Sequence, residues 1–158
     1  MSIDARDLSH LRHCVALAAA AVDAGDEAFG SLLVSADGRV LFEDRNRVGG
    51  GDPTRHPEFA IARWAAEHVS PAERAAATVY TSGEHCAMCA AAHGIVGLGR
   101  IVYATSTAQL TQWMRELGRP PMGIAALPIT AVIPDARIDG PVPELADAVR
   151  ALHARADG

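Results

Sequence analysis

The rhythm of the chain changes at about residue 77, and this change narrows the possible folds more than any other feature. From there on, short runs rich in β-branched residues alternate with helical stretches. Residues 77–82 (A-T-V-Y-T-S) read as a strand, 86–97 as a helix, 100–104 (R-I-V-Y-A) as a strand and 107–117 as a helix. Residues 129–133 then read as the last strand and 143–155 as a closing amphipathic helix, after a stretch at 118–127 rich in proline and glycine. Strand, helix, strand in succession requires parallel pairing, because the crossover returns the chain to its starting edge. The first third follows another rule. Residues 29–35 and 40–43 read as strands joined through Asp37-Gly38, a dipeptide suited to the tight turn of an antiparallel hairpin. Residues 7–23 carry apolar side chains at helical spacing, with Gly25 as the stop. The expected architecture is α/β: a mixed five-stranded sheet flanked by helices on both faces, in a single domain over residues 1–158.

Composition removes several classes of function. Half of the chain is hydrophobic, but alanine accounts for much of it and mean hydropathy is only +0.10. The alanine-rich run at 15–22 is too short to span a bilayer and continues into Asp23. Met1-Ser2-Ile3-Asp4 shows no basic region followed by an apolar stretch, so a soluble cytoplasmic protein is the expectation. Net charge is −5, and all fourteen basic residues are arginines scattered along the chain. Holding a polyanion calls for a basic patch, so nucleic acid is disfavoured as the main partner. Three cysteines, Cys14, Cys86 and Cys89, are too few for a disulfide framework. Cys14 shares a helical stripe with Leu11, Leu17, Ala18 and Ala21, which places it in the core.

Two strings carry the chemistry: His56-Pro57-Glu58 and Cys86-Ala87-Met88-Cys89. They supply one imidazole and two thiolates, three soft ligands that hold zinc and leave a fourth tetrahedral position open. Pro57 suits the first turn of a helix over about 57–69, which puts His56 at that helix's start. Cys86 and Cys89 fall in the first turn of the next helix, where the partial positive charge favours thiolate. Bound zinc brings the pKa of water from 15.7 to about 7, and Glu58, close but not ligated, can carry the proton. Hydrolytic loss of an amino group from an aromatic heterocycle suits this set. Three other readings stand beside it: a redox dithiol, which leaves His56 and Glu58 without a role; a closed structural zinc site completed by His85, His93 or Cys14; and chance occurrence of H-x-E. The pairing of both strings at helix starts favours the open site.

Around these strings the chain resembles the cytidine deaminase-like superfamily, in the branch of guanine deaminases, fungal-type cytosine deaminases and tRNA adenosine deaminases. Phe29-Gly30-Ser31-Leu32-Leu33-Val34 is similar to the family's first strand, F-G-A-V-x-V. Asn46-Arg47 followed by Asp52-Pro53-Thr54 resembles its N-x…D-P-T segment, Thr81-Ser82-Gly83-Glu84 its T-S-x-E-P lead-in, and residues 99–104 the strand after the cysteine helix. The H-x-E…C-x-x-C pattern is nearly the signature of zinc-dependent base deaminases. The resemblance implies a three-layer cytidine deaminase-like sandwich, commonly a homodimer, with one zinc per chain on His56, Cys86 and Cys89 and with Glu58 as proton shuttle. It also implies a substrate contact from Asn46, whose alternative is a loop residue bonding its own backbone. Phe29 lines the pocket or packs in the core. Glu84 anchors the zinc loop or touches the substrate. Trp113 caps the pocket or sits half-buried on an amphipathic helix.

The departures bear on specificity. Pro57 replaces the family's alanine or valine at little cost, and Ala87 stands where relatives often have proline. His85 occupies the position of the proline before the first cysteine; it either reaches the substrate or is a partly exposed bystander. The closing helix lacks the short aromatic tail of some guanine deaminases. The expected substrate is a free nucleobase or related aminated heterocycle, guanine-like before cytosine-like, with an aminated triazine also fitting. The runner-up is a tRNA adenosine deaminase, and the third reading a non-catalytic zinc module, in which Glu58 would have no purpose.

Overall fold

The computed structural model describes residues 2–156. Helix α1 (Ala5–Asp23) begins two residues earlier than its apolar spacing suggests. Asp4 is the reason: its carboxylate accepts from the Asp7 N–H, and Asp7 accepts in return from the Asp4 N–H, each at 2.9 Å. Strands β1 (Gly30–Val34) and β2 (Val40–Arg45) form the expected antiparallel hairpin, with Gly38 at φ +89° in its turn. Helix α2 (Pro57–His68) follows the loop. A short helix, α3 (Pro71–Ala76), was not anticipated, although Ser70 caps it by accepting from the Glu73 N–H with Pro71 behind it.

Strand β3 (Thr78–Gly83), helix α4 (Ala87–Val96), strand β4 (Ile101–Thr105) and helix α5 (Thr107–Glu116) follow in the predicted alternation. The next element corrects the sequence reading. Residues 129–133 do not form the last strand; Ile129–Val132 is a helical turn, α6, and the fifth strand is the two-residue β5 (Ile138–Asp139). A short run of mostly β-branched residues has no periodicity to separate helix from strand. Here the Ile129 N–H donates to the Glu84 carboxylate at 2.8 Å, which supplies a helix start with a partner and leaves nothing for a ladder. Helix α7 (Pro143–Arg155) closes the chain.

The sheet runs β2-β1-β3-β4-β5, with β1 antiparallel to both neighbours and β3, β4 and β5 parallel. It is the mixed five-stranded sheet flanked by helices that the pattern implied. Alternate strand residues serve opposite faces. Leu32, Val34, Tyr80 and Val102 pack with Leu11 and Cys14 of α1, Trp113 of α5 and Leu145 and Val149 of α7. Leu33 and Val79 pack instead with Ile61 and Ala65 of α2. Cys14 is therefore a core residue.

One ion-pair network ties the two ends of the chain together. Arg100 grips both carboxylate oxygens of Asp7, at 2.9 and 3.1 Å, and its Nε donates to Asp139 at 2.9 Å. The Tyr80 hydroxyl donates to Asp7 Oδ1 at 2.6 Å.

Contact between α1 and β1 depends on the absence of a side chain at residue 30. A Cβ on Gly30 would lie 2.4 Å from the Cys14 carbonyl oxygen and 2.8 Å from the Ala18 nitrogen, both of them backbone atoms. Gly30→Ala is expected to destabilise the fold by about 3 kcal/mol, since the helix must move away from the sheet. Urea denaturation measures this, and a midpoint unchanged from wild type would contradict the packing described.

Candidate metal centre and active site

Two helix N-termini converge on the site. His56 is the N-cap residue of α2, with Pro57 and Glu58 the first two residues inside. Cys86 is the N-cap of α4, and Cys89 lies three residues on. Because α2 and α4 pack against each other on one face of the sheet, their positive ends meet. His56 Nδ1 lies 3.6 Å from the Cys86 Sγ and 3.6 Å from the Cys89 Sγ. Zinc bonds of about 2.3 Å to sulfur and 2.0–2.1 Å to nitrogen at the tetrahedral angle give a sulfur–nitrogen edge of about 3.6 Å. The donor set and its spacing fit the ion. Among the described residues no further histidine, cysteine or carboxylate joins the group. His93 Nε2 donates to the Gly99 carbonyl oxygen at 2.8 Å and Cys14 is in the core, so neither closes the site.

The electrostatics ready one of the three groups, Cys86, for metal binding. A hydrogen bond from Cys89, aided by His56, holds the Cys86 thiol down to about 4, so it is a thiolate at neutral pH. Its partner Cys89 is pushed up by the same pairing and by burial. The Cys86 sulfur in turn raises the His56 imidazole.

Glu58 stays outside the ligand group and is only 5 % exposed. Burial raises its pKa, opposed by His56 and by two hydroxyls. These are Ser31 Oγ at 2.8 Å and Thr81 Oγ1 at 2.9 Å, and both reach the same carboxylate oxygen, Oε1. Ser31 and Thr81 are register partners across β1 and β3, so the sheet itself sets them side by side. Sequence reading missed both. The available signal was a hydroxyl within strands that are otherwise apolar on that face.

Of the remaining predicted residues, Glu84 was expected to anchor the zinc loop or touch the substrate, and its carboxylate instead braces two other elements. Its Oε1 accepts from the Thr107 N–H at 2.9 Å and its Oε2 from the Ile129 N–H at 2.8 Å, so one carboxylate fixes the starts of α5 and α6. Phe29 stands beside the metal loop: its ring approaches a Cβ built on Gly83 to 3.2 Å and meets the His153 ring edge-on at 5.0 Å. Asn46 is fully buried, and its amide oxygen accepts from the Glu27 and Val48 N–H groups at 3.3 and 3.1 Å while its Nδ2 donates to Glu27. These bonds pin two loops together, and direct contact with a ring would require giving some of them up.

Two expectations are corrected. His85 neither reaches into the site nor lies partly exposed; it is buried at 1 % exposure with its ring edge-on to His93 at 5.4 Å. Burial pushes both imidazoles down, so they pack as neutral rings. Trp113 does not cap the pocket. It is buried in the core cluster that α1, the sheet and α7 share, and its ring lies 6.2 Å from that of His153. His153, also unanticipated, is held down to about 4 by burial. A cavity of about 500 Å³ opens beside His56, lined by Asp52, Thr54, Arg55, Arg63 and Trp64.

Residues 4–105 match the family of the cytidine and deoxycytidylate deaminase zinc-binding region. The chain belongs to this family, and it is a zinc-dependent hydrolytic deaminase. A probable cytosine deaminase of Schizosaccharomyces pombe is 30 % identical over 138 residues, which is 82 % of this chain and 84 % of that one. A tRNA-specific adenosine deaminase of Agrobacterium fabrum is 37 % identical over 75 residues, covering 47 % of this chain and 49 % of its own. The solved structure of a guanine deaminase from Nitrosomonas europaea superposes with a TM-score of 0.69 at 18 % identity, covering 99 % of this chain and 87 % of that one. No helix among the described residues is long and apolar enough to cross a membrane.

Proposed function

We propose that this deaminase acts on a free nucleobase or a related aminated heterocycle, with zinc on His56, Cys86 and Cys89 and Glu58 as the proton shuttle. The observation that carries the reading is Glu58 itself, a buried carboxyl two residues from a metal ligand yet outside the ligand group. When bound, zinc supplies a water molecule acidic enough to lose a proton near neutrality. Glu58 accepts that proton at its carboxylate and gives it to a ring nitrogen, which makes the adjacent amino-bearing carbon electrophilic. Glu58 then takes the proton of the hydroxyl newly added to that carbon and passes it to the departing amine. One water is consumed, the exocyclic C–N bond is replaced by C–O, and ammonia leaves. Burial suits Glu58 to this work, because it lifts the carboxyl toward the range in which it can both take and give a proton.

The cytosine deaminase relative supports a free base as substrate, since it is similar over most of the chain, and the guanine deaminase shares the whole fold. The tRNA-deaminase similarity covers half the chain, and a net charge of −5 with no lysine gives a polyanion little to bind. The same reading takes residues 1–158 as one domain, the assembly as a homodimer and the location as the cytoplasm. Ile95, Met122 and Ile124 are exposed apolar side chains of the kind a second copy would cover. An ammonia-release panel of guanine, cytosine, adenosine, an amino-triazine and a tRNA anticodon stem-loop tests the substrate. Turnover of guanine or cytosine is expected; activity confined to the stem-loop would overturn the assignment.

A further inference from the structure

We propose that Ser31 and Thr81 form a positioning pair that holds the Glu58 carboxylate by Oε1 and so fixes its orientation as the proton carrier. The inference rests on the reading of Glu58 as the shuttle. Ser31 and Thr81 are both fully buried, so their hydroxyls answer only to protein groups. Around them lie four oxygen–oxygen contacts: each hydroxyl to Glu58 Oε1, Ser31 to Thr81 at 2.9 Å, and Thr81 to the Gly83 carbonyl at 2.9 Å. Two hydroxyls carry only two hydrogens. Each therefore has a choice of acceptor: Ser31 between Glu58 and Thr81, and Thr81 between Glu58 and the Gly83 carbonyl.

That choice matters during turnover. While Glu58 is an anion, both hydrogens can point at Oε1, where a charged acceptor strengthens them. Once Glu58 carries the transferred proton, the Thr81 hydrogen can turn to Gly83 and the Ser31 hydrogen to Thr81. No heavy atom has to move in either state. The carboxyl keeps one orientation through the reaction, which is the condition for efficient proton transfer at fixed geometry. The Gly83 link has a second effect: it ties the same hydroxyl to the loop that leads into Cys86, so shuttle and ligands share one reference point.

Thr81→Val removes the hydroxyl and keeps the shape, whereas Thr81→Ser keeps the hydroxyl and removes a methyl. On the base that the ammonia-release panel selects, Thr81→Val is expected to lower kcat by about 10- to 100-fold with KM changed less than about twofold, and Thr81→Ser to restore most of it. Zinc content and the unfolding midpoint are measured on each protein. Introduced into a Glu58→Gln background, Thr81→Val is expected to cause no further loss, because the residue it positions no longer carries protons. Ser31→Ala repeats the test from the other strand and serves if Thr81→Val does not fold. Wild-type kcat in both single variants, or a loss that Thr81→Ser fails to recover, would overturn the pairing. So would a further loss in the Glu58→Gln background. If Glu58→Gln alone retains full turnover, the shuttle reading has failed, and that result is distinct from failure of the hydroxyl pair.

Discussion

Glu58→Gln is expected to lower ammonia release by about 10²- to 10⁴-fold while each chain keeps its zinc. The amide has the shape of the acid, and its oxygen can still accept from Ser31 and Thr81, so the local packing of α2 on the sheet survives. It cannot take up and release a proton near neutrality. The ligands His56, Cys86 and Cys89 are untouched, because Glu58 lies outside their group. Steady-state ammonia release together with metal analysis separates the two effects. Loss of turnover with zinc retained places the defect in proton transfer. Undiminished turnover would remove Glu58 from the reaction.

The second large effect concerns stability. Asp7→Ala is expected to cost about 3–5 kcal/mol at neutral pH, since it removes one partner from a buried pair. Arg100 would lose two of its carboxylate bonds, Tyr80 its acceptor and α1 half of its capping box. The pH dependence gives an independent check. Burial acts to raise the Asp7 carboxyl, but Arg100, Tyr80 and the Asp4 N–H outweigh it and lower the pKa from 3.8 to about 2. A carboxyl with a depressed folded-state value stabilises fully above its unfolded pKa and loses that contribution as pH falls through the folded one. About 2 kcal/mol of wild-type stability should therefore disappear between pH 5 and pH 2 through this group. The gap between wild type and Asp7→Ala should narrow by that amount over the same window. Urea unfolding at several pH values measures it; a constant gap would show that the network is not linked to protonation of Asp7.

Much of the fold was legible because local signals agreed with the global arrangement. Asp37-Gly38 set the hairpin, and the strand–helix alternation after residue 77 set the parallel half. Residues 129–133 were misread because a short run of mostly β-branched residues has no period of its own, and the deciding partner, Glu84, lies 45 residues away. The same limit applied at the site. His56, Cys86 and Cys89 were readable from spacing, since helix starts and a C-x-x-C turn bring ligands together locally. Ser31 and Thr81 were not, because their meeting at Glu58 is a matter of strand register between segments 50 residues apart. His85 was misjudged for a similar reason. Its sequence neighbour Cys86 turns toward the metal group, whereas its own side chain turns toward His93, and adjacent residues at a strand-to-helix turn need not share a destination.

The place of β1 between β2 and β3 has a consequence for biosynthesis. A chain leaving the ribosome presents the β1–β2 hairpin first, and the inner edge of β1 then waits for residues 78–83 to clear the exit tunnel. At roughly 5–20 residues per second, that wait lasts several seconds. His56 emerges during that time, ahead of both of its sulfur partners. Glu84, two residues before Cys86, receives its second backbone donor later again, only when Ile129 arrives. A nascent chain cut short before α6 would thus hold all three ligand residues without the bond from Ile129 to Glu84.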